Sequence, residues 1–281
     1  MRQTKTIVLC LTSALALAAC EKSQNGEVSR TLKGVNVIDE SNLNDIMLSA
    51  ADPDEAVSYF QRTAGENPDR IDVQRGLAQS LIRAKRATEG AVVWKRVVDH
   101  EESTNEDKMG YADALIRIGD WKRAETMLDS VPPTIETFQR YKLEAVVADS
   151  NKEWKKADSY YETALGLTTT PGGILNNWGY SKLSRGDYRE AERLFGESIT
   201  YDPTLFTAKN NMVLARAAQK NYSLPLIQIT QIERAQLLHT MALAAIKQGN
   251  TNEGKDLLEQ AIEAHPQHFE AAVRSLKKLD G

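Results

Sequence analysis

What this chain of 281 residues lacks narrows it at once. It has two cysteines, Cys10 and Cys20, too few for a disulfide framework, so its fold must hold by packing. Its longest largely apolar stretch, Ile7 to Leu17, is shorter than the roughly 20 residues that a bilayer requires of a spanning helix. Basic residues are not in excess: 35 Lys and Arg stand against 39 Asp and Glu, a formal charge of −4. That balance speaks against a nucleic-acid partner, which needs concentrated positive charge. Catalytic signatures are missing too. There is no Gly-x-x-x-x-Gly-Lys-Ser/Thr loop, no dinucleotide fingerprint and no His-Glu-x-x-His, and no Gly-x-Ser-x-Gly elbow. Of the four histidines, His265 and His268 have metal-like spacing. Pro266 lies between them, and no cysteine or clustered carboxylate completes a ligand set, so no metal site is expected. The Asp and Glu residues read as solvated helix faces. The chain reads as a non-enzyme with no cofactor and no small-molecule substrate.

What is there begins at the N terminus. Arg2 and Lys5 precede the apolar stretch, and small residues lead into Leu17-Ala18-Ala19-Cys20. This is the layout of an export signal over residues 1–19. Leu-Ala-Ala-Cys resembles a bacterial lipobox, which implies lipidation of Cys20 and cleavage just before it. An ordinary cleaved signal with an incidental cysteine is the alternative. Cleavage removes two positive charges and takes the formal charge from −4 to −6. Glu21 follows the cysteine where inner-membrane retention usually has Asp, so the expected location is the periplasmic face of the outer membrane, held by lipid. Residues 20–38 are polar and read as a flexible tether.

From Asp39 onward the chain repeats. Leu175-Asn-Asn-Trp178-Gly179, Gly186-Asp187-Tyr188, Ala191, Phe195 and Asp202-Pro203 resemble the tetratricopeptide (TPR) repeat, whose period is 34 residues. In that pattern small residues at positions 8 and 20 let two antiparallel helices approach, and a large residue at position 24 fills the gap to the next helix. Position 11 is Lys182, and the neighbouring Leu183 serves instead. Position 20 falls at Ala56, Gly90, Ala124, Ala157, Ala191, Pro225 and Gly254, with intervals of 34, 34, 33, 34, 34 and 29. Position 24 is Phe60, Trp94, Leu128, Tyr161, Phe195, Ile229 and Leu258. The expected fold is therefore all-α, a TPR superhelical solenoid of about seven helix-turn-helix units with a C-terminal capping helix. The units are placed at 39–70, 73–104, 105–137, 138–171, 172–205, 206–233 and 235–267, with the cap at 268–281. Pro53 blurs the first unit. In the sixth, Pro225 stands where a helix interior is due, so its second helix begins late or collapses. Thr168 to Gly173 is the longest central break, either a hinge or one loose turn.

Stacked helix pairs present a groove lined by their first helices, suited to extended peptides or other helices. Positions 5 and 9 face it, and here they include Arg75, Asp113, Lys142, Asn176, Tyr180, Asn210 and His239. Asn176-Asn177 recurs one unit later as Asn210-Asn211. Paired amides could clamp a peptide backbone, with Tyr180 packing an apolar side chain and Lys142 meeting a carboxylate. The competing reading is that asparagine is simply tolerated on a helix surface.

The last third carries a narrower likeness. Asn177-Trp-Gly-Tyr-Ser-Lys-Leu-Ser-Arg-Gly-Asp-Tyr188, Leu205-Phe-Thr-Ala-Lys-Asn-Asn211, Ile232-Glu-Arg-Ala-Gln-Leu-Leu238 and His265-Pro-Gln-His-Phe-Glu-Ala-Ala272 resemble the TadD family of TPR lipoproteins, from the Tad (Flp) pilus apparatus. The resemblance implies a non-catalytic outer-membrane lipoprotein that assists pilus assembly, with the secretin or another Tad component as client. The same architecture also suits a scaffold for outer-membrane protein assembly or periplasmic proteolysis.

Overall fold

Helix boundaries in this chain coincide with local sequence signals. Asp52 accepts from the backbone of Asp54 and Glu55, and Pro53 takes the first helical turn, where its missing N–H leaves no bond unmade. The proline that blurs the first repeat in the sequence thus starts a helix. Thr104 and Asp107 form a reciprocal capping box, as do Thr230 and Glu233. The structure, a computed structural model, describes residues 43–280. The export segment, Cys20 and the tether lie outside the described residues. A helical stretch over 43–49 (α1) is followed by α2 (Pro53–Glu66), α3 (Ile71–Arg83), α4 (Ala87–Asp99), α5 (Asn105–Arg117), α6 (Trp121–Asp129) and α7 (Phe138–Ser150). Then come α8 (Trp154–Gly166), α9 (Gly172–Ser184), α10 (Tyr188–Tyr201), α11 (Phe206–Ala218), α12 (Gln231–Lys247), α13 (Thr251–Ala264) and α14 (Glu270–Asp280). No strand occurs among the described residues.

The fold is the all-α TPR solenoid that the spacing predicts. It divides into two compact units between Ile118 and Gly119. The division does not fall at Thr168–Gly173. There residues 167–171 form a short link, and the Ser198 hydroxyl donates to the Gly172 carbonyl at 2.7 Å.

Close approach of paired helices is what the small residues permit. Ala78, Ala112, Ala145, Val213 and Ala242, all at position 8, are fully buried. At Gly179 a β-carbon would sit 2.7 Å from the Phe195 ring, and at Gly76 it would sit 2.3 Å from Phe60. Both lie well inside contact distance, so only glycine fits under these rings. Position 24 supplies the matching bulk: Phe60, Trp94, Leu128, Tyr161, Phe195 and Leu258 are buried. Leu183 packs against the Ala191, Phe195 and Ala215 cluster, taking over from Lys182. At the C-terminal end, Ala272, Leu276 and Leu279 of α14 cover the apolar face of α12 and α13.

From the second repeat to the seventh, the turn inside the repeat is built one way. After the first helix, one residue adopts a left-handed conformation: Lys85, Gly119, Lys152, Gly186, Lys220 and Gly249, with φ between 60° and 85°. Paired bonds close the helix end, such as Asp187 N–H to the Lys182 carbonyl and Gly186 N–H to the Leu183 carbonyl, at 2.9 and 3.2 Å. Lys152 and Lys220 make the same pair of bonds. Three of these positions therefore hold a lysine where glycine is the unstrained residue.

The sixth repeat loses its second helix. Residues 221–230 run without helix from α11 to α12. Pro225 is buried, while Tyr222, Leu224 and Ile229 pack on the core in place of helical side chains. A proline here forbids the helix, and three inward apolar residues spaced along an extended chain still seal the seam.

Two stability outcomes follow. Gly179→Val is expected to lower stability by about 2–3 kcal/mol, because the Phe195 ring must move. Lys85→Gly is expected to raise it by about 1 kcal/mol through relief of the left-handed strain. Urea unfolding followed by circular dichroism measures both.

Candidate functional site: the first-helix face

In the unit from Gly119 onward, α7, α9, α11 and α12 are the first helices of repeats four to seven, and each touches its successor. The expected groove residues sit on them: Lys142 on α7, Asn176 and Tyr180 on α9, Asn210 on α11 and His239 on α12. The structure joins several into a ladder. Asn211 Nδ2 donates to Asn176 Oδ1 at 3.0 Å, and the Thr240 hydroxyl donates to Asn210 Oδ1 at 2.8 Å. His239 Nε2 lies 3.2 Å from the Ser275 hydroxyl and packs edge-on against Phe269. Burial pushes the His239 imidazole below its ordinary value. The two asparagines a repeat apart do not bond to each other. Their side-chain oxygens are taken by the neighbouring helix, which leaves their N–H₂ groups as the donors the face can offer. Thr240 and Ser275 were not singled out from sequence, and Asn211 only as the second member of its Asn-Asn pair. The repeated Asn-Asn pair held the signal for Asn211, which donates back to the preceding first helix.

Position 9 adds an apolar stripe that sequence reasoning caught only at Tyr180. Val146, Tyr180, Leu214 and Leu243 each follow the buried position-8 residue of their helix. Tyr180 is 58% exposed and Leu243 45%, large values for side chains of this size. A row of apolar side chains beside a row of amide donors can hold an extended segment by both its side chains and its carbonyls. Lys142 Nζ lies 5.8 Å over the Phe138 ring at the start of the row.

Arg75 and Asp113, in the other unit, are committed otherwise. Arg75 forms a two-pronged pair with Asp107 at 2.8 and 2.7 Å, tying α3 to α5. Asp113 pairs with Arg117 on its own helix. His265 stacks on Phe269, and His268 pairs with Glu270 at 2.8 Å.

The reading of the acidic residues as solvated faces needs correction at three positions. Asp107 is buried. Burial works to raise its carboxyl, and Arg75 with the Thr104 backbone and hydroxyl overcomes this and holds it below the ordinary value. Asp149 accepts from the Tyr161 and Ser181 hydroxyls, both at 2.7 Å, and burial leaves its carboxyl raised. Asp158 gathers Trp178 Nε1 at 2.6 Å, Lys182 Nζ at 3.0 Å and the Arg185 guanidinium. These two carboxylates bolt α7, α8 and α9, the helix that carries Tyr180, to one another. Spacing rules describe apolar positions, so they carry no signal for such carboxylates. A shallow cleft of about 440 Å³ beside Lys209 and Glu233 is lined also by Pro203 and Ile229. Its buried cation is already paired with Glu233 at 2.8 Å.

The fold defines a helix-pair repeat protein. Residues 237–268 match the tetratricopeptide repeat family. Compared with curated proteins, the sequence has no match. Among solved structures the fold is similar to the Cut9–Hcn1 hetero-tetramer of the APC/C (TM-score 0.60, 12% identity). The likeness covers 84% of this chain and 48% of that one, so the chain spans about half its length. The human IFIT1 dimer with PPP-AAAA is similar over 81% of this chain and 59% of that one (TM-score 0.57, 15% identity). A tetratricopeptide repeat protein from Parabacteroides merdae is similar over 89% and 96% (TM-score 0.53, 13% identity). At these identities the likeness concerns the fold.

The Asp107 pair sets a pH dependence. Its carboxyl titrates lower folded than unfolded, so its contribution is present above pH about 4 and is lost as pH falls further. Asp107→Asn is expected to cost about 2–3 kcal/mol at pH 7, and the gap from wild type should narrow between pH 5 and 3. Urea midpoints across that range measure it.

Proposed function

We propose that this chain is a non-catalytic adaptor, tethered to the outer membrane through lipid on Cys20, whose first-helix face captures a segment of another envelope protein. The client process we favour is assembly or localisation of the Tad (Flp) pilus, with its secretin as the partner. The observation that carries the capture reading is the row of Tyr180, Leu214 and Leu243 beside the amide donors of Asn176 and Asn210. Apolar side chains left on a rigid, well-packed surface mark a contact site. The pilus reading is supported by the four TadD-like segments of the last third, and the membrane tether by the Leu-Ala-Ala-Cys20 sequence. No helix among the described residues is long and apolar enough to cross a membrane, so an acyl anchor supplies the attachment in this reading.

Deletion of the gene is expected to abolish surface pili and reduce secretin multimers. Normal piliation would exclude the pilus reading. Tyr180→Ala with Asn210→Ala is expected to weaken secretin capture in pull-down at least tenfold, the loss of one hot-spot aromatic and one polar contact, while the protein stays folded with a stability loss of about 1 kcal/mol from the broken Thr240 bond. Undiminished capture would exclude the face. Cys20→Ser should leave a folded protein that a high-salt wash strips from membranes, whereas the lipidated parent stays bound through the wash.

A further inference from the structure

The turns between the helices of each repeat form an edge of their own in the unit from Gly119 onward. Side chains link them in sequence: Asn151 to Glu125, Arg185 to the Trp154 carbonyl, Gln219 to Glu192, and Asn250 to Tyr222. Lys122, Lys152, Lys155, Arg189, Lys220 and Lys247 are exposed along this edge, and none has an ion-pair partner among the described residues. Arg123 and Lys156, on the same edge, are paired with Asp120 and Glu153. Against these six cations stand three acids without an ion pair, Glu125, Asp187 and Glu253, of which Glu125 accepts from the Asn151 amide. The chain as a whole is acidic, at −4, so this local excess departs from its average. Trp121 and Tyr188 are exposed among the cations.

A second observation is independent of charge counting. Lys152 and Lys220 occupy the left-handed position of their turns, at φ 60°, where Gly119, Gly186 and Gly249 serve in the others. A lysine there carries strain that glycine would not. What the lysine adds is a cation at the tip of the turn, and strain kept for one side chain points to use of that side chain.

We infer that this turn edge is a docking surface for an anionic phospholipid bilayer. Lysines reach phosphate headgroups, and Trp and Tyr suit the boundary between headgroup and acyl chain. A strip of lone cations with interspersed indole and phenol matches that surface in charge and polarity. The inference rests on the membrane-tethered reading above. It adds that the repeats lie with one edge on the bilayer, leaving the first-helix face open to its client.

The test uses the full chain carrying Cys20→Ser, so that no acyl chain contributes, and sedimentation with phosphatidylethanolamine–phosphatidylglycerol vesicles against phosphatidylcholine vesicles. Any insertion of residues 1–19 is common to every arm. Binding should favour the anionic vesicles and weaken in about 0.5 M salt, where the screening length falls below about 5 Å. Lys152→Gly, Lys220→Gly, Lys122→Gln and Lys155→Gln together should reduce it far more than tenfold, at about fivefold per cation removed. The two glycine changes relieve strain, so the variant should unfold at a higher urea concentration, and its loss of binding is not a loss of fold. Equal binding by variant and parent, or no preference for anionic vesicles, would overturn the inference. So would preference for a single-stranded RNA oligonucleotide over the vesicles. Secretin capture by the quadruple variant should be unchanged, which separates failure of the edge from failure of the face.

Discussion

The fold depends on one steric match, a missing or minimal side chain on one helix beneath a large ring on its neighbour. Gly76 under Phe60, Gly110 under Trp94 and Gly179 under Phe195 show it, with no room for a β-carbon at any of the three. Each match brings two backbones to a fixed distance, and that distance sets which residues of the first helices emerge on their outer side. No helix pair could bury its apolar face alone, so each pair's exposed ridge becomes the seat of the next. The array therefore transmits register by contact between neighbours only, and the 34-residue interval is the chemical record of that contact.

Local failure of the rule is tolerated because stacking is local. The interval of 29 before Gly254 marks the repeat whose second helix is absent. Pro225 forbids the helix, yet Tyr222, Leu224 and Ile229 still fill the seam. Polar bolts do the complementary task where the face must be rigid. Asp149 and Asp158 tie α7, α8 and α9 together, and Arg75 with Asp107 ties α3 to α5. These pairs need desolvation to be offset by several hydrogen bonds, and each carboxylate here has at least two.

The helix pattern was largely legible in the sequence because it is steric and periodic. Positions 8, 20 and 24 name buried residues in nearly every repeat, and Pro68, Pro203 and Pro266 lie just beyond α2, α10 and α13. The site was legible only in outline. Lys142, Asn176, Tyr180, Asn210 and His239 all lie on first helices, but the bonds of Asn176, Asn210 and His239 run to Asn211, Thr240 and Ser275, which template positions do not mark. The carboxylate bolts were misread as solvated because a single acidic residue in an amphipathic helix looks the same whether it meets water or a tyrosine across the seam. Left-handed lysines were hidden for a similar reason, since sequence suggests glycine wherever φ is positive.

The central claim is that the first-helix face around Tyr180 is where another protein is held. A photo-crosslinking amino acid at position 180, compared in cells with the same residue at Tyr201, which is 63% exposed on α10, tests it most directly. The account expects one secretin adduct from position 180 and none from 201. No adduct from 180, or the same adduct from both, would contradict it.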